Sequence, residues 1–146
     1  MERAAAVMQA NGFTLFYHNH QFEFYKYDGE RTVFDLLWQN APHLHFIFDT
    51  YWAQYGGCDP ARYIERLAVR VECVHLKDYA VRFTAPETCE PCFAPVGSGT
   101  LDFPAIVRAA EKAGARYFFV EQDNASDLPD PFAPVEKSIR YIRASL

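Results

Sequence analysis

The sequence has 146 residues, is 50% hydrophobic and 23% charged, and carries a formal net charge of −5. That length fits one domain with a core of its own. The acidic balance, with no Lys/Arg run, offers no field for nucleic acid. No apolar stretch approaches the roughly 18 residues that span a membrane.

In chain order, residues Glu2 to Asn11 read as an Ala-rich helix stopped by Gly12. The start MERAAAVMQANG lacks the apolar core of a secretory leader, which points to the cytoplasm. Phe13 to Tyr17 is a β-type run followed at once by the polar HNHQFE, and Tyr25 to Arg31 is a polar turn. Thr32 caps a helix over Val33 to Asn40, and Pro42 follows it. His45 to Asp49 is a second strand. Its unbroken apolar sequence predicts a strand covered on both faces, as in parallel sheets.

TYWAQYGGC reads as a loop, and Asp59-Pro60 starts a helix that runs to about Val69. Val71 to Leu76 is a third strand. Lys77 to Thr100, with three prolines and the pair Cys89 and Cys92, reads as one long irregular segment of the kind that forms binding loops or lids. Asp102 caps a helix over Phe103 to Ala113, with Gly114 at its end. Tyr117 to Val120 is a fourth strand, and a Pro-rich loop leads to a last helix, Val135 to Ala144.

Of the four cysteines, Cys73 falls inside an apolar strand and reads as a small hydrophobe. Cys89 and Cys92 form a single CxxC without the second ligand pair that a zinc site needs, so two reduced loop thiols are the plain reading. A loop disulfide and a shared metal site stand as alternatives. Gly97 and Gly99 suit a helix-entry turn better than a phosphate cradle, because Asp102 would repel an anion there.

The order is a helix followed by four β–α units, which predicts a parallel sheet with helices outside it. Four units do not close a (β/α)8 barrel of about 250 residues. The expectation is therefore an α/β fold that forms half of such a barrel, a fragment or a half that pairs with another chain. An open four-stranded sheet of flavodoxin type is the alternative. Sites in parallel α/β folds form at the carboxyl ends of strands. Those ends carry His18, Asp49, His75 and Glu121, one per strand. Neighbouring parallel strands are about 4.8 Å apart, so four such residues can converge. Two imidazoles with two carboxylates suit divalent Mn, Co, Fe or Zn better than Mg or Ca. Taken singly, each strand-ending histidine reads as an ordinary hydrogen-bonded residue; four in a row favour a metal.

FYHNHQFEF, FDTYWAQYGGCDP, VHLKD, PVGSGTLDF and FFVEQD, in this order, resemble the C-terminal half of the sugar phosphate isomerase/epimerase family of the xylose isomerase-like barrel superfamily. The resemblance covers residues 1–146 and corresponds to strands five to eight of the family barrel. It implies one divalent metal held by His18, Asp49, His75 and Glu121, with His18 standing where many members have Glu and Ser98 where relatives often carry Glu. It implies a metal-dependent isomerase or epimerase that acts on a sugar, keto-sugar or inositol derivative through an enediolate-type intermediate. The His18-x-His20 pair leaves open a dehydratase or lyase of the inosose dehydratase type, and a non-catalytic sugar-binding half-barrel is the third reading.

Under that resemblance, His20 or Glu121 takes the proton α to the carbonyl. Glu23 orients His20 or binds a hydroxyl, and Trp52 and Tyr51 form an apolar wall for the sugar. Lys77 neutralises developing charge or binds an anion, with Asp78 as its partner. A solvated Lys77–Asp78 pair and plain aromatic packing are the structural alternatives. The expected partners are a small carbohydrate and a second half-barrel, either another copy of the chain or a complementary one. Apolar sheet edges left open by a half-barrel favour such association.

Overall fold

Continuous apolar strands need helices over them, and this chain supplies them after each strand. A computed structural model describes residues 1–67 and 69–146. Four strands, β1 (Phe16–His18), β2 (His45–Asp49), β3 (Val71–Leu76) and β6 (Tyr117–Val120), form one parallel sheet in the order β1-β2-β3-β6. α1 (Glu2–Ala10) precedes them, α2 (Val33–Asn40), α3 (Thr50–Tyr55), α4 (Pro60–Glu65) and α5 (Phe103–Lys112) run between them, and α6 (Ala133–Ser145) closes the chain. Each strand is thus hydrogen-bonded to the next strand of the sheet in chain order, as in a segment of a barrel wall.

Side-chain alternation divides the two faces. Phe46 and Phe48 of β2 and Val74 and Leu76 of β3 point outward and are buried under the helices. They pack with Phe34 of α2, Ile64 of α4 and Phe103, Ile106 and Ala110 of α5. Each such side chain contributes about 1.5–3 kcal/mol by leaving water. The other face is not covered along its whole length. Phe16 is 36% exposed, Tyr117 53% and Phe119 54%, although Phe119 sits in register with the half-buried His75. The expectation that the second strand is covered on both faces holds in part: its outer face is buried under helices, while His45 and Ile47 on the inner face are half-buried.

Two further expectations change. TYWAQY forms α3 instead of a loop, because the Asp49 carboxylate accepts the Trp52 backbone N–H at 2.9 Å and caps the helix. The segment after β3 is not irregular. It is an antiparallel hairpin of β4 (Asp78–Ala85) and β5 (Thr88–Ala94), turning at Pro86 and Glu87, where Glu87 has φ 61°. The outer part of this hairpin is exposed on both faces, so its sequence shows no apolar alternation to read. On a strand, residues three apart point to opposite faces. Cys89, opposite Phe83, and Cys92, opposite Ala80, therefore cannot share a disulfide or chelate one ion, and all four cysteines are free.

The helix after Asp59 ends at Glu65, short of the expected Val69, and Ala68 in that span lies outside the described residues. Arg70, just before β3, holds the sheet floor together. Its guanidinium donates to the carbonyls of Ala41, Leu44 and Trp38 and lies 3.7 Å above the Trp38 ring. Among the described residues, no helix is long and apolar enough to cross a membrane.

Candidate metal centre

The parallel register carries the polar strand ends to one place. Asp49 stands directly opposite His75, and His18 sits on the neighbouring strand beside Ile47. Glu121 follows the last residue of β6, its backbone N–H bonded to the Leu76 carbonyl at 3.2 Å. His18 Nε2 is 3.2 Å from Asp49 Oδ2, and His75 Nδ1 is 3.9 Å from that oxygen and 3.0 Å from Glu121 Oε2. One ligand atom from each of the four residues lies within 4.8 Å of all the others. Ligand atoms around an ion with bonds of about 2.0–2.2 Å stand roughly 3.0–3.5 Å apart, so this donor set fits a divalent metal after small adjustments. Its mixture of imidazole and carboxylate suits Mn, Co, Fe or Zn.

The neighbours that fix these ligands are mostly ones the sequence did not single out. Asn19 is fully buried and behaves like a strand partner for Asp49, donating to its carbonyl at 3.3 Å and accepting its N–H at 2.9 Å. Thr50, also buried, donates its hydroxyl toward the carbonyls of His75 and Lys77 and accepts the Lys77 N–H at 3.1 Å. Together they tie the ends of β1, β2 and β3 to one another. Asp49 itself has divided duties: Oδ2 faces the histidines while Oδ1 caps α3.

Lys77 is not a solvated residue at a loop base. It is 2% exposed, with Nζ 3.0 Å from Glu121 Oε2, 3.4 Å from Asp49 Oδ2 and 2.6 Å from Asp123 Oδ1. Burial pulls its ammonium down, and the three carboxylates outweigh that and hold it above its ordinary value. The hydrogen bond from His75, reinforced by Lys77, holds the Glu121 carboxyl far below the usual carboxylate range despite partial burial. Asp123 was legible only as a second acid in the EQD run, and nothing in the sequence says that it reaches Lys77.

Asp78 is a correction. Its carboxylate, wholly buried, does not pair with Lys77 or face the site. It accepts four backbone N–H groups: Tyr79 at 2.8 Å, Gly97 at 2.9 Å, Gly99 at 2.8 Å and Leu101 at 3.3 Å. Burial pushes its carboxyl up, and these N–H donors restrain the rise. The glycines therefore do cradle an anion, but it is the protein's own. A Cβ on Gly99 would stand 2.3 Å from the Tyr79 carbonyl oxygen.

Glu23 likewise turns into the scaffold. It is 3% exposed, accepts the Tyr17 hydroxyl at 2.5 Å and takes the His20 backbone N–H at 2.7 Å. It positions the His20 loop through the main chain, neither through the imidazole nor by facing a substrate hydroxyl. The His20 ring lies edge-on to His18 at 5.0 Å and 5.3 Å from the Trp52 ring. Trp52, Tyr51 and Phe93 form an aromatic wall beside the cluster, with Lys77 Nζ 5.1 Å from the Trp52 ring. The buried Trp52 Nε1 has no hydrogen-bond partner.

A family described as xylose isomerase-like TIM barrel matches residues 1–145. An inosose dehydratase from Geobacillus kaustophilus (strain HTA426) is 29% identical over 156 residues, which cover 97% of this chain and 49% of that protein. Among solved structures, a sugar phosphate isomerase/epimerase from Parabacteroides distasonis ATCC 8503 is 28% identical with a TM-score of 0.76, over 99% of this chain and 49% of the other. A second one from the same organism is 25% identical with a TM-score of 0.74, over 99% and 51%. The chain thus spans about half the length of the relatives it matches.

Proposed function

The chain belongs to the xylose isomerase-like TIM barrel family and forms part of such a barrel, and from that premise we infer that it is a divalent-metal-dependent isomerase or epimerase of a sugar, keto-sugar or inositol derivative. The observation that carries the reading is the convergence of His18, Asp49, His75 and Glu121 within 4.8 Å. These four residues would hold the metal. When bound, the ion supplies Lewis acidity at the substrate's carbonyl and adjacent hydroxyl.

The chain's own groups do the rest. Glu121, kept ionised by His75 and Lys77, or the His20 imidazole takes the proton on the carbon next to the carbonyl and returns it, so an enediolate-type intermediate forms on the substrate. Lys77 places a fixed positive charge beside the oxygens that gain negative charge. Trp52, backed by the buried Tyr51, offers an apolar face to the sugar.

Elimination is the second reading, and His18 favours it. Two-base epimerisation uses paired carboxylates across the substrate, while this cluster sets imidazoles at His18 and His20 opposite Glu121. An imidazole suits protonation of a departing hydroxyl, and the curated relative named above is an inosose dehydratase.

We place the protein in the cytoplasm, where its free thiols, exposed Cys89 among them, stay reduced. Its partly uncovered inner sheet face, with Phe16, Tyr117 and Phe119, and the unpaired outer edges of β1 and β6 are completed by a second half-barrel, either another copy or a complementary chain. Light scattering on the purified protein should then give a mass above that of one chain. A stable monomer would contradict the pairing.

The function is tested by metal analysis and by NMR of ketoses and keto-inositols in heavy water with the metal-loaded protein. Stoichiometric Mn, Co, Fe or Zn and exchange of the α-proton are expected. Epimerisation yields a stereoisomer, while elimination yields an enone that absorbs in the ultraviolet. Protein that takes up no ion when supplied with one would sink the metal reading.

A further inference from the structure

Resting on the metal reading above, we propose that Asp123 is a positioning residue of the metal centre: it touches Lys77, not the ion, and through Lys77 it sets how tightly the ion is held. The two oxygens that Lys77 approaches, Glu121 Oε2 and Asp49 Oδ2, are the same two that face His75 and His18. The ammonium and the ion therefore draw on the same carboxylate oxygens. Two cations placed that close repel each other unless a further anion lies beside the ammonium. Asp123 Oδ1, at 2.6 Å, makes the shortest of Lys77's three ion-pair contacts and comes from outside the ligand set.

Charge counting makes the same point. Asp49, Glu121 and Asp123 against Lys77 leave two negative charges, which a divalent ion among neutral imidazoles cancels. Remove the Asp123 charge and the occupied site keeps one uncompensated positive charge around a side chain that is only 2% exposed. Among the described residues, Lys77 has no other carboxylate within ion-pair distance, so the freed ammonium can shift only onto the ligand oxygens and compete with the ion.

Titration of the metal-stripped 146-residue chain with Co2+, followed by calorimetry and by its visible absorption, tests the assignment. Asp123→Asn and Asp123→Ala should each weaken binding about 10-fold, the low end of the range for groups that contact a metal's ligands, because Asp123 acts through Lys77, while the band shape stays that of the wild type. Asp123→Asn combined with Lys77→Met should recover most of the lost affinity, because the uncompensated ammonium is gone. Variants at Asp123 that bind as tightly as the wild type, or a double variant that recovers nothing, overturn this inference and leave the metal reading standing. A wild-type chain that takes up no Co2+ overturns both.

Discussion

Asp49→Asn is expected to weaken divalent-metal binding by more than about 100-fold while leaving the protein folded. Residues one step from an ion alter affinity about 10- to 100-fold, so the loss of a ligand charge should exceed that range. Asp49 Oδ2 is the oxygen shared between His18 at 3.2 Å and His75 at 3.9 Å, which makes it the middle of the cluster. Asn keeps an oxygen to cap α3 at Trp52 and keeps the backbone bonds to Asn19. Asp49→Ala removes the cap as well, at a cost of about 1 kcal/mol, and leaves Lys77 short of one partner. The two variants together separate the ligand role from the folding role. Thermal melts give the readout. An ion at about 100 times its dissociation constant stabilises the wild type by roughly 2.7 kcal/mol, so its melting temperature should rise on addition of metal. That of Asp49→Asn should stay flat. A variant that still gains stability from metal would remove Asp49 from the ligand set.

The part of this site that was legible in the sequence is the part governed by strand periodicity. Apolar runs ending in His18, Asp49, His75 and Glu121 announce where strands stop, and a parallel sheet brings all such ends to one edge. What could not be read depends on contacts between segments far apart in the chain. Asn19 looks like any polar loop residue until its amide is seen pairing with the Asp49 backbone. Lys77 next to Asp78 reads as an ion pair. In the fold the two side chains part, one into the carboxylate cluster and the other into a nest of N–H groups. Adjacent residues in an extended stretch point opposite ways, and that alternation separates the two charges. The hairpin is illegible in the sequence for a different reason: a ribbon with water on both sides has no apolar face to pattern, and Pro91 argues locally against a strand.

The largest effect on stability should come from Asp78→Ala. No other carboxylate in the described chain satisfies so many backbone donors from inside the protein: Tyr79, Gly97, Gly99 and Leu101 all give their N–H to it. Its removal leaves four part-buried backbone donors without their partner, at up to about 1–3 kcal/mol each. If water recovers half of them, the loss is still about 2–6 kcal/mol, a large share of the roughly 5–15 kcal/mol that holds a domain folded. The damage should spread in a definite direction. Asp78 opens the hairpin, and three of its partners, Gly97, Gly99 and Leu101, lie on the return path from β5 to α5, so the carboxylate ties the hairpin base to that path. Phe93 on β5 carries part of the aromatic wall beside Trp52. Denaturant unfolding should show the drop in stability, and amide exchange should show Gly97, Gly99 and Leu101 losing protection ahead of Val74 in β3. Gly99→Ala should reproduce much of the effect, since its methyl would collide with the Tyr79 carbonyl and the Asp78 carboxylate. Near wild-type stability in Asp78→Ala would show that water can replace the carboxylate, and that the nest does not hold the hairpin to the body.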